Sequence, residues 1–256
     1  MSNSGLGIEC RGISRCFGSR QALLDVNLEV RRGSLMALMG SNGAGKTSLM
    51  KILATLLLPT RGIAMVHGQD VVRVPMVCRR TIGFLPAEER SFHGRLSVDQ
   101  NLKFFAALQG VAPGDFRHRS QALLAIVGLE GHGRTRFAEL SSGMKQSLAL
   151  VRSLLHDPAV LLLDEPTRSL SPDLACRVWD LLRDLAHHEG KTILLATHNL
   201  GEVESVADEM AILHQGHLVV QGVPSQICAA HGISALPRAE ALFRHFTRET
   251  REAVAP

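Results

Sequence analysis

The stretch "GSNGAGKTSLM", Gly40 to Met50, constrains this chain more than any other. It follows the apolar run "LMALM" and precedes "SLMKILATLL", so strand, glycine-rich loop and helix stand in the order of the phosphate-loop pattern G-x-x-x-x-G-K-[ST]. Gly40, Gly43 and Gly45 let the backbone bend until successive N–H groups point inward at phosphate oxygens. Lys46 supplies positive charge to the β and γ phosphates, and the Thr47 hydroxyl is left for Mg²⁺. The candidate nucleotide-binding residues here are Gly40, Ser41, Asn42, Gly43, Ala44, Gly45, Lys46, Thr47 and Ser48. The bland alternative, a glycine-rich turn that binds nothing, does not account for all three parts falling in order.

The pattern along the chain is an alternation of strands and helices. "ECRGISRCF", "ALLDVNLEV" and "LMALM" read as strands around a turn at Gly33, and "TSLMKILATLL" repeats its apolar residues at helical spacing. "GIAMVHG" and "TIGFLP" are short and strand-like. The middle then turns helical, with "SVDQNLKFFAALQG", "DFRHRSQALLAIVGL" and "MKQSLALVRSLLHD". Alternation resumes with "AVLLLDE", "PDLACRVWDLLRDLAHHEG", "KTILLATH", "LGEVESVA", "DEMAILH" and "GHLVVQG". This order predicts an α/β fold: a core of residues 1–94 and 156–222, an inserted helical lobe at 95–155, and a tail at 223–256.

Two further strands end in chemistry. "AVLLLDEPT" is an apolar strand that puts Asp164 and Glu165 at its carboxyl end, where ligands sit in open parallel sheets. Asp164 would then serve Mg²⁺, leaving Glu165 to orient or deprotonate an attacking water. "TILLATH" ends in His198, whose imidazole is placed to reach a γ-phosphate. Inside the helical lobe, "LSSGMKQ", Leu140 to Gln146, opens a helix with a Ser-Ser-Gly turn, a second phosphate-facing helix start about a hundred residues after the first.

In this order the motifs resemble the ATP-binding cassette family, in particular the nucleotide-binding subunit of a transporter, from about Leu6 to Gln221. The resemblance implies a P-loop NTPase core with a mainly parallel sheet, an antiparallel β subdomain and an inserted α-helical signature lobe. It implies ATP and Mg²⁺ as ligands, with Glu165 and His198 catalytic and Thr47 and Asp164 on the metal. It also accounts for the second helix start: two cassettes pack head to tail, so Ser141, Ser142, Gly143 and Ser171 contact the ATP of the partner chain. Phe17 matches the aromatic that stacks on adenine, core packing being the other reading.

The chain departs from the family in three places. "FLPAEERSFHGRLS" matches the loop that usually carries a Mg²⁺-bound Gln, yet it holds none; Ala87 or Glu88 takes that place, and Glu88 is the candidate metal ligand. Ser142 stands where the signature usually has its second Gly, which requires a negative φ. "SLSP" puts Ser171 where the family usually has Asp.

Composition bounds the setting. With 256 residues and 45% hydrophobic content, the chain can bury a substantial core. The net charge of +4 is scattered, so nucleic acid is not an expected partner. Five cysteines without C-x-x-C spacing read as free thiols. The sequence predicts no leader in "MSNSGLGIEC" and no membrane span, so contact with a membrane is expected to be indirect, at the cytoplasmic face, through separately encoded transmembrane permease subunits. Short cassettes of this kind resemble those of exporters. The alternatives are a non-transport cassette ATPase in a soluble or nucleic-acid-associated complex, and a regulatory cassette in which ATP drives only association. "PRAEALFRHFTRETREAV" reads as a tail helix packed on the domain or on its dimer mate, in preference to a membrane-surface helix.

Overall fold

A computed structural model describes residues 5–234 and 237–253. The expectation of no leader rests partly on residues 1–4, which lie outside the described residues. Strands β1 (Leu6–Phe17) and β2 (Arg20–Arg31) form an antiparallel hairpin, and β1 also pairs with β4 (Arg61–Val66), itself paired with the two-residue β5 (Gln69–Asp70). Along β2, Leu23, Val26, Leu28 and Val30 are buried while their neighbours are not, as a one-sided antiparallel sheet requires. This is the antiparallel subdomain.

The second sheet has six strands in the order β10-β9-β3-β8-β7-β6. β3 (Leu35–Met39), β6 (Ile82–Leu85), β7 (Val160–Asp164), β8 (Thr192–Thr197) and β9 (Glu209–His214) run parallel, and β10 (His217–Gly222) is an antiparallel edge. Every residue of β3, β7 and β8 is buried, because helices or strands cover both faces; this is why they read as unbroken apolar runs. One face packs against helix α1 (Lys46–Leu53) and the antiparallel sheet, with Met36, Leu38, Leu162 and Leu194 meeting Leu28, Leu49 and Ile52. The other face packs against α5 (Ser142–Leu154) and α6 (Pro172–His187), with Leu161, Leu163 and Leu195 meeting Leu148, Val151 and Leu182.

Between β6 and β7 lie α3 (Val98–Leu108), α4 (Pro113–Ile126), a 3₁₀ turn at Phe137–Glu139, and α5. Ser97 and Gln100 form a capping box that starts α3. Three short elements escape the periodicity of the sequence: β5, α2 (Pro75–Thr81) and α8 (Pro224–Ala230). Helix α1 also stops at Leu53, short of the expected Leu57, because Thr55 takes a left-handed φ of 62°. Beyond α7 (Leu200–Val206), the tail helix α9 (Arg238–Ala253) buries Ala239 and Leu242 against Val203, Ile227 and Cys228, so it packs on the domain. The side chains of Arg248, Glu249, Arg251 and Glu252 lie outside the described residues. Among the described residues no helix is long and apolar enough to cross a membrane, and all five cysteines are free thiols.

Register sets the site. Met39 lies level with Thr197, and Asp164 with Ala196, so β3, β7 and β8 end together and their following residues emerge side by side at the carboxyl edge.

Candidate functional site

A cavity of about 610 Å³ opens at that edge. The loop after β3 forms its floor. Gly43 and Gly45 adopt φ of 82° and 112°, turning the chain into the start of α1. At Gly45 a side chain is excluded twice over, by that φ and by the Ala22 carbonyl oxygen 2.5 Å from where its Cβ would lie. The first turn of α1 thus presents unpaired N–H groups and the positive end of the helix dipole to the cavity.

Of the expected nucleotide-binding residues, Phe17 and Ser41, Asn42, Gly43, Ala44, Gly45, Lys46, Thr47 and Ser48 line the cavity; Gly40 lies behind the wall, its carbonyl accepting from Lys46 Nζ. Lys46 also donates to the Ser41 carbonyl at 3.2 Å. Burial pulls the Lys46 pKa below its ordinary value, against the opposing pull of Glu165 and Asp164. Phe17 is 45% exposed, which excludes the core-packing reading, and its ring carries the Arg15 guanidinium 4.5 Å from the centroid.

The ends of β7 and β8 form the opposite wall. Thr47 Oγ1 donates to Asp164 Oδ2 at 2.8 Å. Burial pushes the Asp164 carboxyl above the usual carboxylate range, the Thr47 hydrogen bond opposes this, and the Glu165 charge adds to it. Glu165 has a left-handed φ of 56°, held by donation of its N–H to the Ala196 carbonyl at 2.8 Å. Its Oε1 accepts from the His198 backbone N–H at 3.1 Å and lies 2.6 Å from His198 Nδ1. The side chains of both Glu165 and His198 border the cavity.

The structure does not bring Glu88 to this site. Ala87 borders the cavity, whereas Glu88 is exposed and pairs with Arg90 at 2.5 Å. The next residue, Glu89, turns inward and pairs with Arg152 of α5 at 2.7 Å, so the alternating directions of the extended loop leave Glu88 facing outward. Ser141, Ser142, Gly143 and Ser171 do not line the cavity of their own chain; they lie at the starts of α5 and α6. Ser142 keeps a negative φ, as its place in the signature requires.

Two cations bordering the cavity, Arg20 and Arg168, escaped the sequence reading. A signal existed for Arg20: "FGSR" is a two-residue hairpin turn, which sets Arg20 directly opposite Phe17. No periodicity marks Arg168, which belongs to an irregular loop.

Residues 23–168 match the family model described as "ABC transporter". The chain is 36% identical over 221 residues to the daunorubicin resistance ATP-binding protein DrrA3 of Streptomyces coeruleorubidus, covering 86% of this chain and 69% of that protein. It is 32% identical over 223 residues to Nod factor export ATP-binding protein I of Paraburkholderia xenovorans (strain LB400), covering 87% and 73%. A solved structure described as the ATP binding subunit of an ABC transporter superposes with a TM-score of 0.86 at 28% identity, covering 93% of this chain and 98% of that one. Phosphate loop, facing carboxylates and family match agree, and the chain belongs to the ABC transporter family as an ATP-binding subunit.

Proposed function

We propose that this ABC ATPase works as one cassette of a head-to-tail pair and drives export through separately encoded permease subunits, attached peripherally at the cytoplasmic face of the membrane. The observation that carries the reading is the closure of two walls on one cavity: Thr47 bonded to Asp164 on the binding side, Glu165 bonded to His198 on the hydrolytic side.

In this reading the open face of Phe17 stacks on adenine, while the loop N–H groups and Lys46 hold the phosphates. The Thr47 hydroxyl and the Asp164 carboxylate are hard oxygen donors, a set that fits Mg²⁺ completed by phosphate and water; among the described residues no cluster of three acidic, His or Cys ligands competes with it. When bound, Mg²⁺ neutralises charge on the phosphates. Glu165 accepts the proton of the attacking water, and His198 fixes the orientation of its carboxylate. Ala87 leaves the metal without the loop ligand that the family usually supplies.

The trans contacts follow from helix-end chemistry. The Ser141 oxygen accepts from the Met144 N–H at 3.2 Å, so its own proton is free for the γ-phosphate held by a partner, and the Gly143 N–H in the first turn of α5 has no helical acceptor. Ser171, at the start of α6, makes no cap bond with its side chain. The helical lobe of residues 95–155 thus presents the signature to the partner, while the core of residues 1–94 and 156–222 holds the chain's own ATP. A second cavity, lined by Phe84, Phe105, Leu108 and Arg152, is bordered by exposed Leu56 and supports a docking place for the permease. The Nod factor export relative supports the outward direction. The tail from residue 223 forms two helices against the core, α8 and α9.

Glu165→Gln tests the chemistry. It should still bind ATP yet lose roughly 10²–10⁴-fold in turnover, the weight of general-base assistance. Near-normal hydrolysis by that variant would remove Glu165 from the role.

A further inference from the structure

We infer that Arg168 is a further phosphate-binding residue, a guanidinium that grips the terminal phosphate of ATP bound to its own chain; this rests on the nucleotide reading of the cavity proposed above. Arg168 lies three residues beyond Glu165, in the loop between β7 and α6. Its backbone N–H donates to the Glu165 carbonyl at 3.2 Å, and Leu170 N–H donates to the Thr167 carbonyl at 3.0 Å. Glu165 and Ser169 both take left-handed φ, 56° and 69°. Two overlapping turns therefore raise residues 167–169 as an arch, with the exposed Arg168 side chain on the cavity wall.

The arch is held from beneath by the signature helix of the same chain. Gln146 Nε2 donates to the carbonyls of Glu165 at 3.1 Å and Pro166 at 3.3 Å. At Gly143 the Ser169 carbonyl oxygen comes within 2.7 Å of where a Cβ would lie, so only a bare Cα lets helix and arch meet. The base of Arg168 is thus fixed, and a guanidinium on a fixed base loses less freedom when it binds.

Charge points to its ligand. Asp164 and Glu165 stand at the same end of the cavity and repel a terminal phosphate, while the Lys46 ammonium already donates to the carbonyls of Gly40 and Ser41. The Arg168 guanidinium makes no hydrogen bond or ion pair among the described residues, and its planar fork matches a phosphate through two parallel hydrogen bonds. Arg20 stands on the hairpin opposite Phe17, with a guanidinium nitrogen 3.8 Å from where a Cβ of Gly43 would lie, and so sits against the phosphate loop, not on the wall that carries Glu165. Arg168, whose backbone N–H is bonded to the Glu165 carbonyl, is the arginine on the wall of the hydrolytic carboxylate, so the phosphate it grips in this reading is the one ADP lacks.

The test is calorimetric titration of the full chain with ADP and with the non-hydrolysable β,γ-imido analogue of ATP, at a concentration where sedimentation shows a monomer. Arg168→Ala should lower the preference for the triphosphate over ADP by about tenfold, the weight of a charge-assisted contact, with the melting temperature unchanged. Arg168→Lys should restore part of it, because the charge remains while the fork is lost. An unchanged preference in Arg168→Ala, or equal weakening of both nucleotides, would overturn the inference and leave the nucleotide site standing. A wild-type chain that binds neither nucleotide would overturn the site itself.

Discussion

At Asp164 the stability of the fold is set against the proposed role on the metal. It is 2% exposed, and its carboxyl is pushed above the usual range first by burial, with the Thr47 hydroxyl only partly offsetting this. A carboxyl whose pKa is higher in the folded than in the unfolded chain stabilises the fold in its neutral form. That contribution is complete below the unfolded pKa of about 3.9 and is lost as pH rises through the folded value. At neutral pH the ionised Asp164 is therefore a cost to the nucleotide-free protein. Asp164→Asn keeps an acceptor for Thr47 and removes the charge, so the empty protein should melt at a higher temperature than wild type at pH 7.5. The gain should shrink as pH falls towards 4, while hydrolysis of ATP is lost. Thermal melts across that range decide it: an Asp164→Asn protein less stable than wild type at pH 7.5 sinks the argument. The buried Lys46, with its lowered pKa, pulls the same way, so the anion-binding floor and the acidic wall are both kept ready at the expense of the empty fold.

At the scale of elements, the loop after β6 is fixed by one inward ion pair, Glu89 to Arg152 at 2.7 Å, with side chains 7% and 15% exposed. Arg152 also reaches the Phe84 carbonyl and stacks near Phe92 and Phe105, so it ties the loop bearing Ala87 to the signature helix. Burial lowers the Arg152 pKa and Glu89 raises it back. Glu89→Gln leaves that cation short of a counter-charge and should cost about 3–5 kcal/mol in urea denaturation, the range for breaking a buried pair. Glu89→Leu combined with Arg152→Met should recover most of the loss; a single variant within 0.5 kcal/mol of wild type, roughly the scatter of surface changes, would refute the buried-pair account. Such pairs are invisible to periodicity, which explains why the sequence left the place open between Ala87 and Glu88, offered Glu88 as the metal ligand and gave no sign that Glu89 turns inward. By contrast β3, β7 and β8 were plain in the sequence, because burial on both faces demands unbroken apolar runs, and these are followed by Gly40 with Ser41, closed by Asp164 with Glu165, and followed by His198. The short α2 and α8 were not, since seven residues show too little of a helical period. Helix α1 was drawn too long because Leu56 and Leu57 continue the apolar pattern past the left-handed turn at Thr55, although Leu56 is exposed. Arg168 was missed because its place depends on turns at Glu165 and Ser169 that only the fold reveals.

Of the two helix starts that the sequence marks for phosphate, only one opens into the cavity of its own chain. The N-terminus of α1 opens into the cavity, but that of α5, with Ser141, Ser142 and Gly143, does not. A second cassette, turned head to tail, would bring its own α5 to the open side of this cavity, and each chain would then hold half of two sites. Placing a carboxylate at Ser141 should leave the monomer's own nucleotide binding intact while setting like charge against the partner's γ-phosphate, so Ser141→Glu should neither pair nor hydrolyse. Lys46→Ala should fail for a different reason, at its own phosphate loop. When the two inactive chains are mixed, one site of the mixed pair joins the intact loop of the Ser141→Glu chain to the intact signature of the Lys46→Ala chain, and the other site carries both defects. Only the mixed pair has a complete site, one where a wild-type pair has two, so at most about half of wild-type hydrolysis should return if one good site works alone, and less if the two must fire together. The distinction from a cis role is made by the Ser141→Glu monomer. If that variant keeps its fold, fails to bind ATP by itself and gains nothing from the Lys46→Ala partner, then the α5 helix start serves its own chain, and the head-to-tail arrangement is wrong for this protein.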